Sequence, residues 1–147
     1  MSRVSLETGV IDPWSLLQDY QREQLGGRAD LGATATFIGS MRDFNEGDDV
    51  VAMTLEHYPG MTEASLQGII DEANAKWPLL DCLIVHRVGD INPGEAIMLV
   101  AVWSTHRREA FEACRYLVEE LKHRAPFWKQ ETLSSGEKRW VDRNTPG

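Results

Sequence analysis

Apolar and polar positions along the chain switch between helical and strand periods, and the switches mark out its elements. Asp12-Pro13 opens a helix, with Asp as N-cap and Pro at the first helical position. Trp14, Leu17 and Tyr20 give it an apolar stripe, and it fades before Gly26-Gly27. Residues 31–40 (LGATATFIGS) are rich in β-branched and aromatic side chains without a helical period, which predicts a strand. A polar, glycine-containing turn at 45–49 leads to residues 50–58 (VVAMTLEHY), closed by Pro59-Gly60. The two strands are expected to pair as a hairpin with a long loop.

Thr62 is the expected cap of a second helix, whose Leu66, Ile69, Ile70 and Ala73 recur at helical spacing until Trp77-Pro78. Strands follow at 80–88 and 96–103, joined through the turn Asn92-Pro93-Gly94. Ser104 or Thr105 caps a third helix, with Ala110, Ala113, Cys114, Leu117 and Leu121 as its buried stripe and Pro126 after its end. Residues 127–132 and 138–141 are expected to form a last strand pair around Ser134-Ser135-Gly136, and the polar residues 144–147 are expected to form a mobile tail. After the first helix the pattern is β-β-α-β-β-α-β-β with hairpin-length connections. It predicts one α+β domain over residues 1–147 with a mainly antiparallel sheet.

Composition adds limits. A chain of 147 residues can bury a core without disulfides or metal. Cys82 and Cys114 each sit in an apolar run, which predicts buried, reduced thiols and a cytoplasmic protein. No Cys-x-x-Cys is present, so no metal is expected. Residues 1–10 lack the apolar segment of a signal peptide, and no stretch approaches the ~20 apolar residues that span a bilayer.

The net charge of −8 argues against a general nucleic-acid binder. It is unevenly spread: residues 104–143 hold nine Lys/Arg against seven Asp/Glu, leaving six basic and sixteen acidic residues elsewhere. A locally basic segment on an acidic chain suits a small anion or the acidic tail of a partner, although a solvated helix face has the same composition.

The sequence motifs of P-loop nucleotide hydrolases, Rossmann dehydrogenases, zincins and α/β-hydrolases are absent. What remains is a set of cations at element boundaries. His106 and Arg107 begin the third helix, where cations oppose the helix dipole unless an anion binds there. Lys122 lies at the other end of that helix, where a lysine also has a plain capping explanation. Lys129 follows the chain reversal at Pro126, which can bring it back beside Lys122. Two lysines held close lower each other's pKa, so that one can act as base, acid or nucleophile near neutral pH. Arg42 and Arg143, at strand ends, offer guanidinium forks for a phosphate. Phe37 is either core or the floor of a pocket.

Three strings carry a resemblance: Leu55-Glu56-His57-Tyr58-Pro59-Gly60-Met61, Ser104-Thr105-His106-Arg107, and 121–129 (LKHRAPFWK). With Thr36-Phe37-Ile38-Gly39, His86-Arg87-Val88-Gly89 and Arg139-Trp140-Val141, they resemble the large, catalytic subunit family of molybdopterin synthase over about residues 31 to 143. The resemblance implies an α/β-hammerhead fold with an additional small β-subdomain, and a homodimer. It further implies that each copy binds a small ubiquitin-like sulfur carrier, giving a heterotetramer. The carrier's C-terminal Gly-Gly thiocarboxylate would supply sulfur to cyclic pyranopterin monophosphate, with no cofactor of its own. By match of motif Lys122 and Lys129 are the catalytic lysines, and Phe37, Arg42, His106, Arg107 and Arg143 bind substrate. The two ends of the third helix are ~25 Å apart at 1.5 Å per residue. One helix therefore cannot bring both sets to one ligand, and the second chain of the dimer is expected to complete the pocket.

Overall fold

The computed structural model describes residues 3–142. Its elements run β1 (Val4–Glu7), α1 (Pro13–Leu25), β2 (Ala33–Ser40), β3 (Phe44–Asn45), β4 (Asp48–His57) and α2 (Met61–Lys76). They continue with β5 (Leu79–Arg87), β6 (Gly89–Ile91), β7 (Ala96–Ser104), α3 (Arg107–Arg124), β8 (Phe127–Leu133) and β9 (Lys138–Val141). The fold is α+β with mainly antiparallel sheets, as the pattern predicted.

The first sheet has the order β1-β5-β7-β2. Its central strands β5 and β7 are apolar almost throughout because both faces are covered. Cys82, Ile84, Met98, Val100 and Val102 face α2 and α3, while Leu83, Val85, Leu99, Ala101 and Trp103 face α1. Both cysteines are buried and free, and burial pushes their thiols up to about 12 and 11. The second sheet is built on β4, which pairs with β3, β6 and β8, with β9 beyond β8.

The expected hairpin between the second and fourth strands does not form. A core strand buried on both faces needs neighbours on both edges, so β7 takes β2 as well as β5. A register shift at Gly39/Ser40 ends that pairing. Buried Met41 then exchanges backbone hydrogen bonds with Glu95 and Gly94, and the chain leaves for the second sheet. Gly32 sits where a side chain would run into the Thr105 carbonyl, so the chain can enter β2 only as glycine.

Other boundaries differ in detail. Asp12 caps α1 as predicted, accepting from the Ser15 N–H, but Trp14 is exposed. The buried stripe is carried by Tyr20 and Leu25, with Tyr20 stacked on Trp103 and its hydroxyl donating to Asp81. Strand β1, parallel to β5, lies in a stretch whose alternation is too short to predict. Thr62 is not the cap of α2. Gly60, at φ 82°, is the cap, and Glu63 accepts from its N–H. Thr62 is fully buried: its hydroxyl accepts from the Tyr58 N–H and donates to the Pro126 carbonyl, tying the start of α2 to the turn between α3 and β8. Neither Ser104 nor Thr105 caps α3; His106 holds that position without a side-chain cap bond.

Candidate active site

Helix α3 carries its apolar stripe onto the first sheet and ends in Lys122-His123-Arg124, cations that suit the negative end of the dipole. Ala125 leaves the helix in an extended conformation, and Phe127 starts β8 antiparallel to β4. This reversal brings Lys129 back toward Lys122. In β8 the register sets Lys129 opposite Leu55 and Val141, and Phe127 opposite His57, all on the sheet's inner face. Trp128 points the other way and is half exposed.

Lys122 and Lys129 line one open cleft, with a volume of about 1560 Å³, between the edge strand β2, the end of α3 and the inner face of the second sheet. Phe37 and Arg42 line it as well. The guanidinium of Arg42 lies over the Phe44 ring, 4.8 Å from its centroid. Burial, and then the charge of Lys122, lower the pKa of Lys129, while the carboxylate of Glu131 opposes the shift. Glu131 is itself buried and receives hydrogen bonds from Asn45 and Arg139, so its charge is fixed in place.

Neighbouring cations are occupied elsewhere. Arg108 and Arg115 pair with carboxylates one turn on, Arg124 is held by Glu72 and Glu120, and Arg139 by Glu131 and Asp48. His106 and Arg107 are exposed at the far end of α3 and do not line the cleft. Fifteen residues of helix separate Arg107 from Lys122, about 22 Å along the axis. Arg143 lies outside the described residues. Among those residues no cluster suited to a metal ion occurs, and no helix is long and apolar enough to cross a membrane.

Two lining residues escape sequence reasoning. Phe44 stands in a segment read as a loop, where nothing announces its contact with Arg42. His86 is buried on β5, stacked on Phe127 with ring centroids 4.0 Å apart and 17° between planes. A lone histidine in an apolar strand carries no signal of its own, and only the His86-Arg87-Val88-Gly89 string marks it.

A family model described as MoaE protein matches residues 10–124. A molybdopterin synthase catalytic subunit from Ralstonia nicotianae is 53% identical over 79% of this chain, and the match spans 65% of that relative's length. One from Vibrio cholerae is 47% identical over 95% of this chain and 89% of its own. Among solved structures, a molybdopterin biosynthesis MoaE protein from Burkholderia ambifaria superposes with a TM-score of 0.79 at 41% identity, covering 99% of this chain and 93% of that one.

Proposed function

The chain belongs to the MoaE family, and from that membership we propose that it is the catalytic subunit of a molybdopterin synthase. It converts cyclic pyranopterin monophosphate to molybdopterin, taking sulfur from the C-terminal thiocarboxylate of a small ubiquitin-like carrier. The observation that carries this reading is the pair Lys122 and Lys129 on one cleft, with the pKa of Lys129 lowered. Opening the cyclic phosphate and adding sulfur both need proton transfers, and a lysine tuned downward supplies them near neutral pH.

The size of the cleft supports a two-part occupant. Ligand pockets commonly enclose ~300–1,000 Å³, so a cleft of about 1560 Å³ has room for a pterin and an extended peptide end together. Both are anionic. Arg42 would hold a phosphate or carboxylate by its fork, and Phe37 would offer a flat face to the pterin. Neither cysteine would supply sulfur, since both thiols are buried and shifted upward.

His106 and Arg107 do not reach the cleft of their own chain. They fit the substrate-binding role in a homodimer, where the start of α3 from one copy completes the pocket of the other, with one carrier on each copy. Arg143 is assigned to the same anion-binding set. The two-sheet arrangement suits the α/β-hammerhead with its small β-subdomain, and the reduced cysteines suit the cytoplasm.

The purified protein, incubated with precursor and thiocarboxylated carrier, is expected to form the dithiolene product. A scaffold that only docks the carrier tail would form none.

A further inference from the structure

Deep in the cleft lies a titratable side chain that the proposed chemistry leaves unused. His86 is 4% exposed, and it lines the same cleft as the two lysines. Its Nδ1 stands 2.7 Å from the Arg87 carbonyl oxygen. A carbonyl only accepts, so Nδ1 carries the hydrogen and donates it. The stack on Phe127 fixes the plane of the ring. Strands β1 and β7 set Leu6 and Met98 opposite His86 in register. The charged groups acting on it are Lys122 from α3 and Lys129 from β8, and Lys129 in turn feels Arg42 and Glu131. Burial pushes the imidazole down to about 4 against the upward pull of the Arg87 carbonyl, and the charges of Lys122 and then Lys129 add smaller downward contributions. The ring is therefore neutral at physiological pH, and Nε2 is left as an acceptor.

Phe127 and Lys129 lie on one face of β8, two residues and so about 7 Å apart. The ring that stacks on Phe127 thus sits beside the lysine site. We propose that His86 is a positioning residue for the lysine pair: its Nε2 accepts a hydrogen bond from a lysine ammonium and fixes the direction of that group's remaining protons. The inference rests on the assignment of Lys122 and Lys129 as the reacting groups. No covalent bond changes at the imidazole, and the proton stays on the lysine nitrogen. A neutral acceptor serves here better than a carboxylate, because it satisfies the ammonium without cancelling the positive charge that draws an anionic substrate.

The test separates the two ring nitrogens. His86→Asn places an amide N–H near the position of Nδ1 and keeps the bond to Arg87, but has nothing at Nε2. His86→Gln reaches the position of Nε2 with an acceptor oxygen. Carbon-13 NMR titration of the lysine ε-carbons, assigned for Lys122 and Lys129, gives a readout independent of turnover. In His86→Asn one of the two lysines is expected to titrate at lower pH, since an ammonium that has lost its acceptor gives up a proton more easily. Its kcat falls about tenfold, the scale of one hydrogen bond to a charged group, with KM changed less than about twofold. His86→Gln returns both quantities toward the parent protein. Lysine titrations that are unchanged in His86→Asn, or a Gln variant no better than the Asn one, overturn the proposal. If the Asn variant does not fold, His86→Phe, which keeps the stack, replaces it with the same outcomes. If the unsubstituted protein forms no product, the proposed function fails, and the lysine titration still decides the role of His86.

Discussion

Lys122 and Lys129 stand on different elements, yet they line one cleft, and the charge of the first adds to burial in lowering the pKa of the second. The geometry follows from a helix that ends at Arg124, a turn through Pro126 pinned by the Thr62 hydroxyl, and a strand that runs back along β4. A lysine depressed in this way costs the folded state some stability.

Replacing Lys129 by Met removes that cost. The folded-state pKa of Lys129 lies below its ordinary 10.5, so the unfolded chain holds the proton more tightly. Stability from this group therefore rises with pH between the folded value and 10.5. Lys129→Met is expected to lose that slope and to gain ~0.5–2 kcal/mol at pH 7 in urea unfolding, the range of single stabilising changes. Its product formation should fall at least ~100-fold, the scale of lost acid–base catalysis.

Acid should expose the buried imidazole. His86 is held at about 4 against an ordinary 6.5, so as pH falls between these values the unfolded chain takes up a proton that the folded one refuses. Stability from this group is complete above pH 6.5 and is lost toward pH 4, by at most about 3 kcal/mol. Denaturant midpoints measured across that window should decline, and His86→Phe should flatten the decline.

Phe44 supports Arg42 from the loop side. Phe44→Ala is expected to raise KM for the pterin substrate about two- to fivefold, the equivalent of one exposed cation–π contact, while kcat holds. A fall in kcat alone would assign the ring a different role.

Completion of the pocket across a dimer predicts complementation. Lys122→Ala and Arg107→Ala proteins, each inactive, are dissociated, mixed in equal amounts and reassociated. Half the dimers are then hybrids with one intact pocket of two, so about a quarter of full activity should return. A mixture that stays inactive would rule out completion of the pocket by the partner's α3.

The helices and core strands were legible because α1, α2, α3, β5 and β7 bury long periodic or continuous apolar runs. Strand partners were not, because pairing is decided by which edges a buried strand must cover. The first predicted hairpin fails for that reason, with β2 going to β7 and β4 to β8. Strand β1 was hidden in four alternating residues, and Trp14 looked like core although it is largely exposed. In the site, the nearness of Lys122 and Lys129 could be read from the reversal at Pro126. The distance of His106 and Arg107 from them could be read from helix length alone. The stack of His86 on Phe127 joins residues 41 positions apart, and no local pattern encodes it.

The role proposed for Lys122 is in sulfur transfer, beyond the capping of α3. Single-turnover conversion of cyclic pyranopterin monophosphate by the Lys122→Ala protein, with thiocarboxylated carrier in excess, tests it most directly. The predicted result is a loss of at least ~100-fold in molybdopterin formation, with an unchanged circular dichroism spectrum and undiminished carrier binding. A Lys122→Ala protein that forms molybdopterin at the parent rate would leave Lys122 no part in sulfur transfer.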